Sequence, residues 1–443
     1  MSAFVVSVVV VVSILLIIIL TTRLRLHAFA ALFIVSLLLA FITLPAGEVI
    51  RTIKDGFGST MGSIGFLIIL GAIIGITLDR TGGTRSIAAF ILSKTGDKRS
   101  PAALGITGFV TGFPIFCDSG FIILSGLAKS FSRKSNIAMP FIATVLATSL
   151  YSVHCLIPPH PGALAAAGMI EANIGYLILA GIFFAVPGAL AAYFWSKYIS
   201  GRNDYKPAEG SESGPDLSRG DLPPVFLSFL PIAVPILLIA LKSVAGLADK
   251  SGESVMSKIL FVPGEPVMAL FIGALLSLIL IKDKTVTGIN SLVTESVIKA
   301  GPILIITAAG GMFGMVIRAT GVGETLGSLL SETGLGIFVP FLIAVVLKTA
   351  QGSSTVAIIT AASFIAPMLP VLGLDSEWGR LFAMLAMGAG SMMVSHANDS
   401  YFWVVTNFAE LKVDDTLKIY TSSTVVMSVT VFVCVWLCSL LFL

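Results

Sequence analysis

Four stretches set polar, charged and helix-breaking residues in the middle of apolar sequence: "TGFPIFCDSGFIIL" from Thr111, "HCLIPPHPGALAAAG" from His154, "LKTAQGSSTVAIIT" from Leu347 and "SMMVSHANDSYFWVV" from Ser391. Irregular backbone at membrane depth is tolerated only where protein buries it or where it lines a watery cavity. Each stretch is therefore a candidate wall of a ligand site. Ser353, Ser354 and Thr355 follow Gly352, and small hydroxyl residues there are good N-caps. A helix starting there aims free N–H groups and the positive end of its dipole into the cavity. An anion fits such a place.

The ionisable residues in these stretches narrow the chemistry, because charge within a membrane span is costly and usually faces an interior cavity. Asp118 and Asp399 are the acidic candidates, either as caps of helix N-termini or as protonatable carboxylates that couple proton entry to transport. His160 and His396 titrate near physiological pH and either relay a proton or brace the broken loops. Lys348 either holds a substrate carboxylate or pairs with Asp118 or Asp399. Ser119, Gln351, Asn398 and Ser400 supply uncharged donors and acceptors. Cys117, Cys155 and His154 match no metal-ligand spacing, and no Gly-x-Ser-x-Gly elbow surrounds Ser353 or Ser354. No cofactor, metal or catalytic constellation is expected, which argues against an enzyme.

What positions these residues is a membrane. The chain has 443 residues, of which 56% are hydrophobic and 12% charged, with mean hydropathy +1.01, and apolar runs of bilayer-crossing length recur from end to end. The net charge of +3 comes from short loops and implies no nucleic-acid partner. Residues 1–27 read as an extra N-terminal transmembrane helix, since no Lys or Arg precedes it and Arg23 and Arg25 follow. A polar linker at 200–223 then divides two halves, 28–199 and 224–443. "GAIIGITLDRTGG" and "GGMFGMVIRATGVG" align at Gly71/Gly310, Gly75/Gly314, Thr81/Thr320 and Gly82/Gly321, an offset of 239 between Gly71 and Gly310.

Lys and Arg in short loops set orientation. With the N-terminus outside, loops 21–27, 79–100, 129–136, 197–222 and 282–299 fall inside. Segments 159–173 and 370–379 fall outside, with Arg380 the one basic residue near them. This works if 100–131 is a re-entrant hairpin from the inside and 335–371 one from the outside, each followed by a broken helix, 137–170 and 380–409. The expected fold is an all-α polytopic membrane protein of inverted-topology repeats, whose interrupted segments meet at a site near the bilayer midplane.

"GFPIFCDSGFIIL", "HCLIPPHPGALAAAG", "KTAQGSSTVAIITAASFIAP" and "SHANDSYFWVV" together resemble the gluconate permease (GntP) family of carboxylate:proton symporters, over nearly the whole chain. The resemblance implies uptake of sugar acids such as gluconate, or of D-serine, D-glycerate and other small hydroxy-carboxylates. It also implies an ion-transporter-superfamily-like fold of elevator type, a homodimer, and placement in the inner membrane. The family's Pro-Pro-His-Pro-Gly run is usually followed by Pro, where this chain has Ala163. On this reading the substrate carboxylate sits between Ser353–Thr355 and the broken loops at His160 and at His396 to Ser400, oriented by Lys348. Asn398, Ser119 and Gln351 read its hydroxyl groups, and Asp118, Asp399 or a histidine takes up the proton. A sodium-coupled carrier on the same scaffold is the nearest alternative, ahead of an anion channel.

Overall fold

The computed structural model describes residues 3–95, 100–113, 116–203, 205–208, 222–248, 255–282, 284–320, 336–396 and 399–443. Within them the chain is helical, with no strand. The first half comprises Ala3–Thr22 (α1), Ala28–Thr43 (α2), Ala46–Thr81 (α3), Gly83–Thr95 (α4), Ser100–Thr111 (α5), Cys117–Ser135 (α6), Met139–Leu156 (α7), Pro161–Met169 (α8) and Ile174–Gly201 (α9). The second comprises Val225–Ala248 (α10), Val255–Leu260 (α11), Pro266–Leu278 (α12), Val286–Ala319 (α13), Phe338–Gln351 (α14), Ser354–Ile365 (α15), Glu377–Ser391 (α16), Ser400–Phe408 (α17), Val413–Thr416 (α18) and Ser422–Phe442 (α19). A π-helical turn at Leu417–Thr421 joins α18 to α19. Most of the linker, Gly321 and Asn398 lie outside the described residues.

Local chemistry sets these boundaries. Pro140, Pro161 and Pro266 stand in the first turns of α7, α8 and α12, where a missing N–H costs nothing. Side chains of Asn173, Thr285, Ser353, Ser376 and Asp399 accept first-turn N–H groups. Gly82 and Gly352 close α3 and α14 at φ 77° and 79°, left-handed backbone that glycine adopts without strain.

The order of elements recurs. Helices α2, α3, α5, α7, α8 and α9 start at 28, 46, 100, 139, 161 and 174, and α12, α13, α14, α16, α17 and α18 at 266, 286, 338, 377, 400 and 413. Every start is displaced by about the 239 residues that separate Gly71 from Gly310. The first helix, expected to be an addition to this pattern, packs on α2 much as α10 packs on α12.

Five described helices are long and apolar enough to cross a bilayer. The run Met139–Met169, through α7 and α8, is buried along its whole most apolar window at a hydropathy of 1.6, whereas Val413–Phe442 is one-third buried at 2.5. Lipid contact demands apolar side chains, while a helix wrapped in protein is free to carry Thr144, Thr148, Ser149, Ser152 and His154, all buried here. Helix α7 is thus buried along its length, with α5 and α6 packed on it, and α14 and α15 pack on α16. Helices α5, α14 and α15 have 12, 14 and 12 residues, roughly 18–21 Å of rise against a hydrocarbon core of about 30 Å.

Helices α3 and α13 pack along one another. At Gly56 a Cβ would stand 2.8 Å from the Gly311 carbonyl, so only glycine lets the backbones approach this closely. The sequence reading of 282–299 as a loop is corrected here: α13 starts at Val286, because Thr285 caps it and no proline falls before Pro302. Segment 79–100 likewise contains α4.

Candidate functional site

The N-termini of α6, α15 and α17 converge on one cavity of about 260 Å³, lined by Phe116, Cys117 and Asp118 from the first, Ser353 to Val356 and Ile359 from the second, and Asp399 to Tyr401 from the third. Tyr151 and His154 of α7 also line it, and Pro302, Ile303 and Ile306 of α13 give it an apolar wall. Ser353 Oγ accepts from the Val356 N–H at 3.3 Å and Asp399 Oδ1 from the Tyr401 N–H at 2.9 Å. Phe116, before α6, offers no side-chain cap. First-turn N–H groups lack intrahelical acceptors, so each of the three starts brings uncommitted donors and a positive dipole end to the cavity.

Six of the residues expected from sequence line this space: Asp118, Ser353, Ser354, Thr355, Asp399 and Ser400. Ser119, His160, Lys348, Gln351 and His396 do not line it, and Asn398 lies outside the described residues. Lys348 is fully buried, and its Nζ donates to Asp399 Oδ2 at 2.5 Å and to the Gly352 carbonyl at 2.7 Å. Ser395 Oγ donates to the same carboxylate oxygen at 2.5 Å. Of the two roles open to Lys348, pairing is the one the geometry realises, and Asp399 is held by an ammonium, a hydroxyl and a backbone amide. The gap between α16 and α17 is braced in turn by the last span, where Thr421 Oγ1 donates to the Ser395 carbonyl at 2.5 Å and Ser428 Oγ to that of Ala389 at 2.7 Å.

His160 also turns away from the cavity. Its Nε2 donates to the Gly112 carbonyl at 2.5 Å, and its Nδ1 lies 3.2 Å from His154 Nδ1. His154 Nε2 lies 3.3 Å from Thr355 Oγ1. The Pro-Pro-His-Pro-Gly break therefore fastens the tip of the first hairpin. His396 Nε2 donates to the Thr349 carbonyl at 3.4 Å. Both polar atoms of the Gln351 side chain are buried without a hydrogen-bond partner among the described residues. Asp118 is the expected carboxylate whose side chain faces the cavity with no cation bonded to it among the described contacts; the Cys117 thiol, 3.9 Å away, is its one hydrogen-bonding neighbour.

His154, Tyr151, Tyr401 and the α13 wall were not read as ligand contacts from sequence. A histidine inside a span is itself a signal, and Tyr151 and His154 are spaced to share one helix face. Nothing local marks Pro302 or Ile306, which reach the site only through packing of the long helices.

The sequence pattern of GntP family permeases matches residues 5–441. The chain belongs to this family. It is 33% identical to the inner membrane permease YgbN of Escherichia coli, over 94% of each chain. It is 32% identical to a gluconate permease of Pseudomonas aeruginosa, over 95% of this chain and 94% of that one, and 30% identical to the high-affinity gluconate transporter of Escherichia coli, over 93% and 94%. Among solved structures, the Alcanivorax borkumensis YdaH transporter aligns over 93% of this chain and 98% of its own with a TM-score of 0.64 at 14% identity. That likeness shows a shared fold. The chain is a multi-pass membrane permease and not an enzyme.

Proposed function

We propose that this permease imports gluconate or a related small hydroxy-carboxylate in symport with a proton. The observation that carries the reading is the convergence of three helix N-termini on one cavity, an arrangement that favours a negative group. At about 260 Å³ the cavity is smaller than the roughly 300–1,000 Å³ of drug-sized sites, in keeping with a short acid. Relatives named as gluconate transporters support the substrate class.

Asp118 supplies the reason for a proton. An anion placed beside an ionised carboxylate in a site of low dielectric is repelled, and protonating Asp118 removes that repulsion as the substrate binds. Asp399 already has Lys348 as its countercharge, which leaves Asp118 as the coupling group. The recurring element order supports two repeats, the Lys and Arg of the short loops support their inversion with the N-terminus outside, and the apolar α13 wall offers no hydrogen bonds to hold the polar side of the cavity. Hairpins and broken helices then move against α3 and α13 as one body, in the elevator manner. Purified protein should be stabilised thermally by gluconate, by about 2.7 kcal/mol at a hundredfold excess over Kd, and more strongly at acid than at alkaline pH. No stabilisation by gluconate, D-glycerate or D-serine at any pH would remove the reading, and stabilisation that requires sodium would replace the proton with that ion.

A further inference from the structure

We infer that His154 is a positioning residue that fixes Thr355 as a hydrogen-bond acceptor toward the ligand, so that the second hairpin tip reads a hydroxyl next to the substrate carboxylate. The argument is one of donors and acceptors. A carbonyl only accepts, so His160 Nε2, 2.5 Å from the Gly112 carbonyl, carries a hydrogen. In neutral His160 the other nitrogen, Nδ1, is then a lone-pair acceptor. His154 Nδ1 stands 3.2 Å from it and must be the donor. Neutral His154 therefore has its lone pair on Nε2, and Thr355 Oγ1, 3.3 Å away, must donate its only hydrogen to it.

The consequence lies in the cavity, which Thr355 and His154 both line. With its hydrogen committed, Thr355 Oγ1 has only lone pairs to offer. It repels a carboxylate and accepts from a hydroxyl. Thr355 is also in the first turn of α15, beside the Ser354 and Thr355 N–H groups that have no intrahelical acceptor. Donors for a carboxylate and an acceptor for a hydroxyl thus stand side by side in one helical turn, which is the pattern of a 2-hydroxy acid. The chain of bonds also joins the tips of the two hairpins, Gly112 at one end and Thr355 at the other, so its polarity is set by a backbone carbonyl outside the site. Gly162 keeps the alignment: a Cβ there would meet Thr355 Cα at 3.1 Å.

This inference rests on the carboxylate reading above, and its test separates the two. Full-length protein labelled with ¹⁵N-histidine, in lipid nanodiscs at about pH 8, where histidines are neutral unless perturbed, should show His154 protonated on Nδ1 and His160 on Nε2. Signals are assigned by their loss in His154→Gln and His160→Gln. His154 protonated on Nε2 would overturn the inference whatever the substrate is. In binding measurements, gluconate should be preferred to 2-deoxygluconate by about tenfold, the worth of one hydrogen bond to a buried partner. Thr355→Val and His154→Phe should abolish that preference, while Thr355→Ser and His154→Gln, which keep the hydroxyl and the acceptor, retain it. Equal loss of both acids in Thr355→Val would overturn the inference. Failure of the wild type to bind either acid would count against gluconate as substrate, and the nitrogen spectra would still decide the polarity of the chain.

Discussion

His160 and Asp399 stand 239 residues apart, each immediately before the second part of a broken helix, and each fastens the tip of the hairpin in its own half. His160 does so directly, by donating to the Gly112 carbonyl. Asp399 does so through Lys348, whose ammonium bridges the carboxylate and the Gly352 carbonyl. The same position thus carries a histidine donor in one half and an ion pair in the other, and both hold the hairpin tips against the cavity.

Lys348→Met should destabilise the protein strongly. It leaves the Asp399 carboxylate, 3% exposed, without a countercharge, a loss of about 3–5 kcal/mol when one partner of a buried pair is removed. The double variant Lys348→Met/Asp399→Asn should regain part of this, because no charge is then stranded. Thermal melting of the detergent-purified proteins gives the order, and a double variant no more stable than Lys348→Met would disprove the structural role of the pair.

Asp118→Asn and Asp399→Asn should behave differently. From sequence either carboxylate was a candidate for the proton; in the structure Asp399 is bound to Lys348 and Asp118 borders the cavity. Asp118→Asn should melt near the wild type, bind gluconate with little pH dependence, and exchange it across vesicles without net uphill transport. Asp399→Asn should melt lower, since Lys348 is left unpaired. Unchanged pH dependence in Asp118→Asn would move the proton elsewhere.

Gly388→Ala should be costly although it adds a single methyl group. The new Cβ would lie 2.8 Å from the Cys155 carbonyl of α7, and the backbone of a buried helix has little room to retreat. Overpacking of this kind costs about 1–3 kcal/mol, read as a lower melting temperature. Gly58→Ala, inside α3 where nothing lies within 4 Å, is the control and should melt at or slightly above the wild type, since alanine favours a helix interior over glycine.

Arg80→Gln should change stability by less than about 1 kcal/mol. Its contact with Glu295, 3.4 Å long, has both side chains more than 40% exposed, and exposed ion pairs contribute little. A large fall in melting temperature would mean that the junction of α3 and α13 depends on this pair.

Ser353→Ala removes the side-chain cap from α15, worth about 1 kcal/mol, and loosens the tip that presents Ser354 and Thr355. Gluconate affinity should fall by about tenfold with a small change in melting temperature. Equal affinity in isothermal titration would show that the cap does not position the site.

Much of the architecture was legible because membrane burial is written in composition and polar interruptions inside apolar runs are rare. Gly352 and Ser353, Pro161 and Asp399 each announced a boundary through turn or cap chemistry, and the pairs aligned with Gly71/Gly310 gave the register that the other elements follow. The site was legible as four stretches rather than as contacts. Whether His160 or Lys348 points at a ligand or at its own scaffold depends on which carbonyl lies within 3 Å: Gly112, 48 residues from His160, reaches it only through tertiary packing, and the Gly352 carbonyl, four residues on from Lys348, reaches the ammonium only because the chain leaves the helix there in left-handed backbone. Pro302 and Ile306 reached the cavity only through the packing of two long helices, a tertiary fact with no local trace.

The central claim is that one proton enters with each acid, and the most direct measurement is the internal pH of proteoliposomes holding the purified protein. A trapped pH dye is followed as gluconate is added outside, in choline buffer with no imposed gradient and the membrane potential clamped. The account predicts prompt acidification of the lumen, absent in Asp118→Asn and absent with an acid that does not bind. Entry of labelled gluconate without acidification, or acidification only when sodium is present, would contradict it.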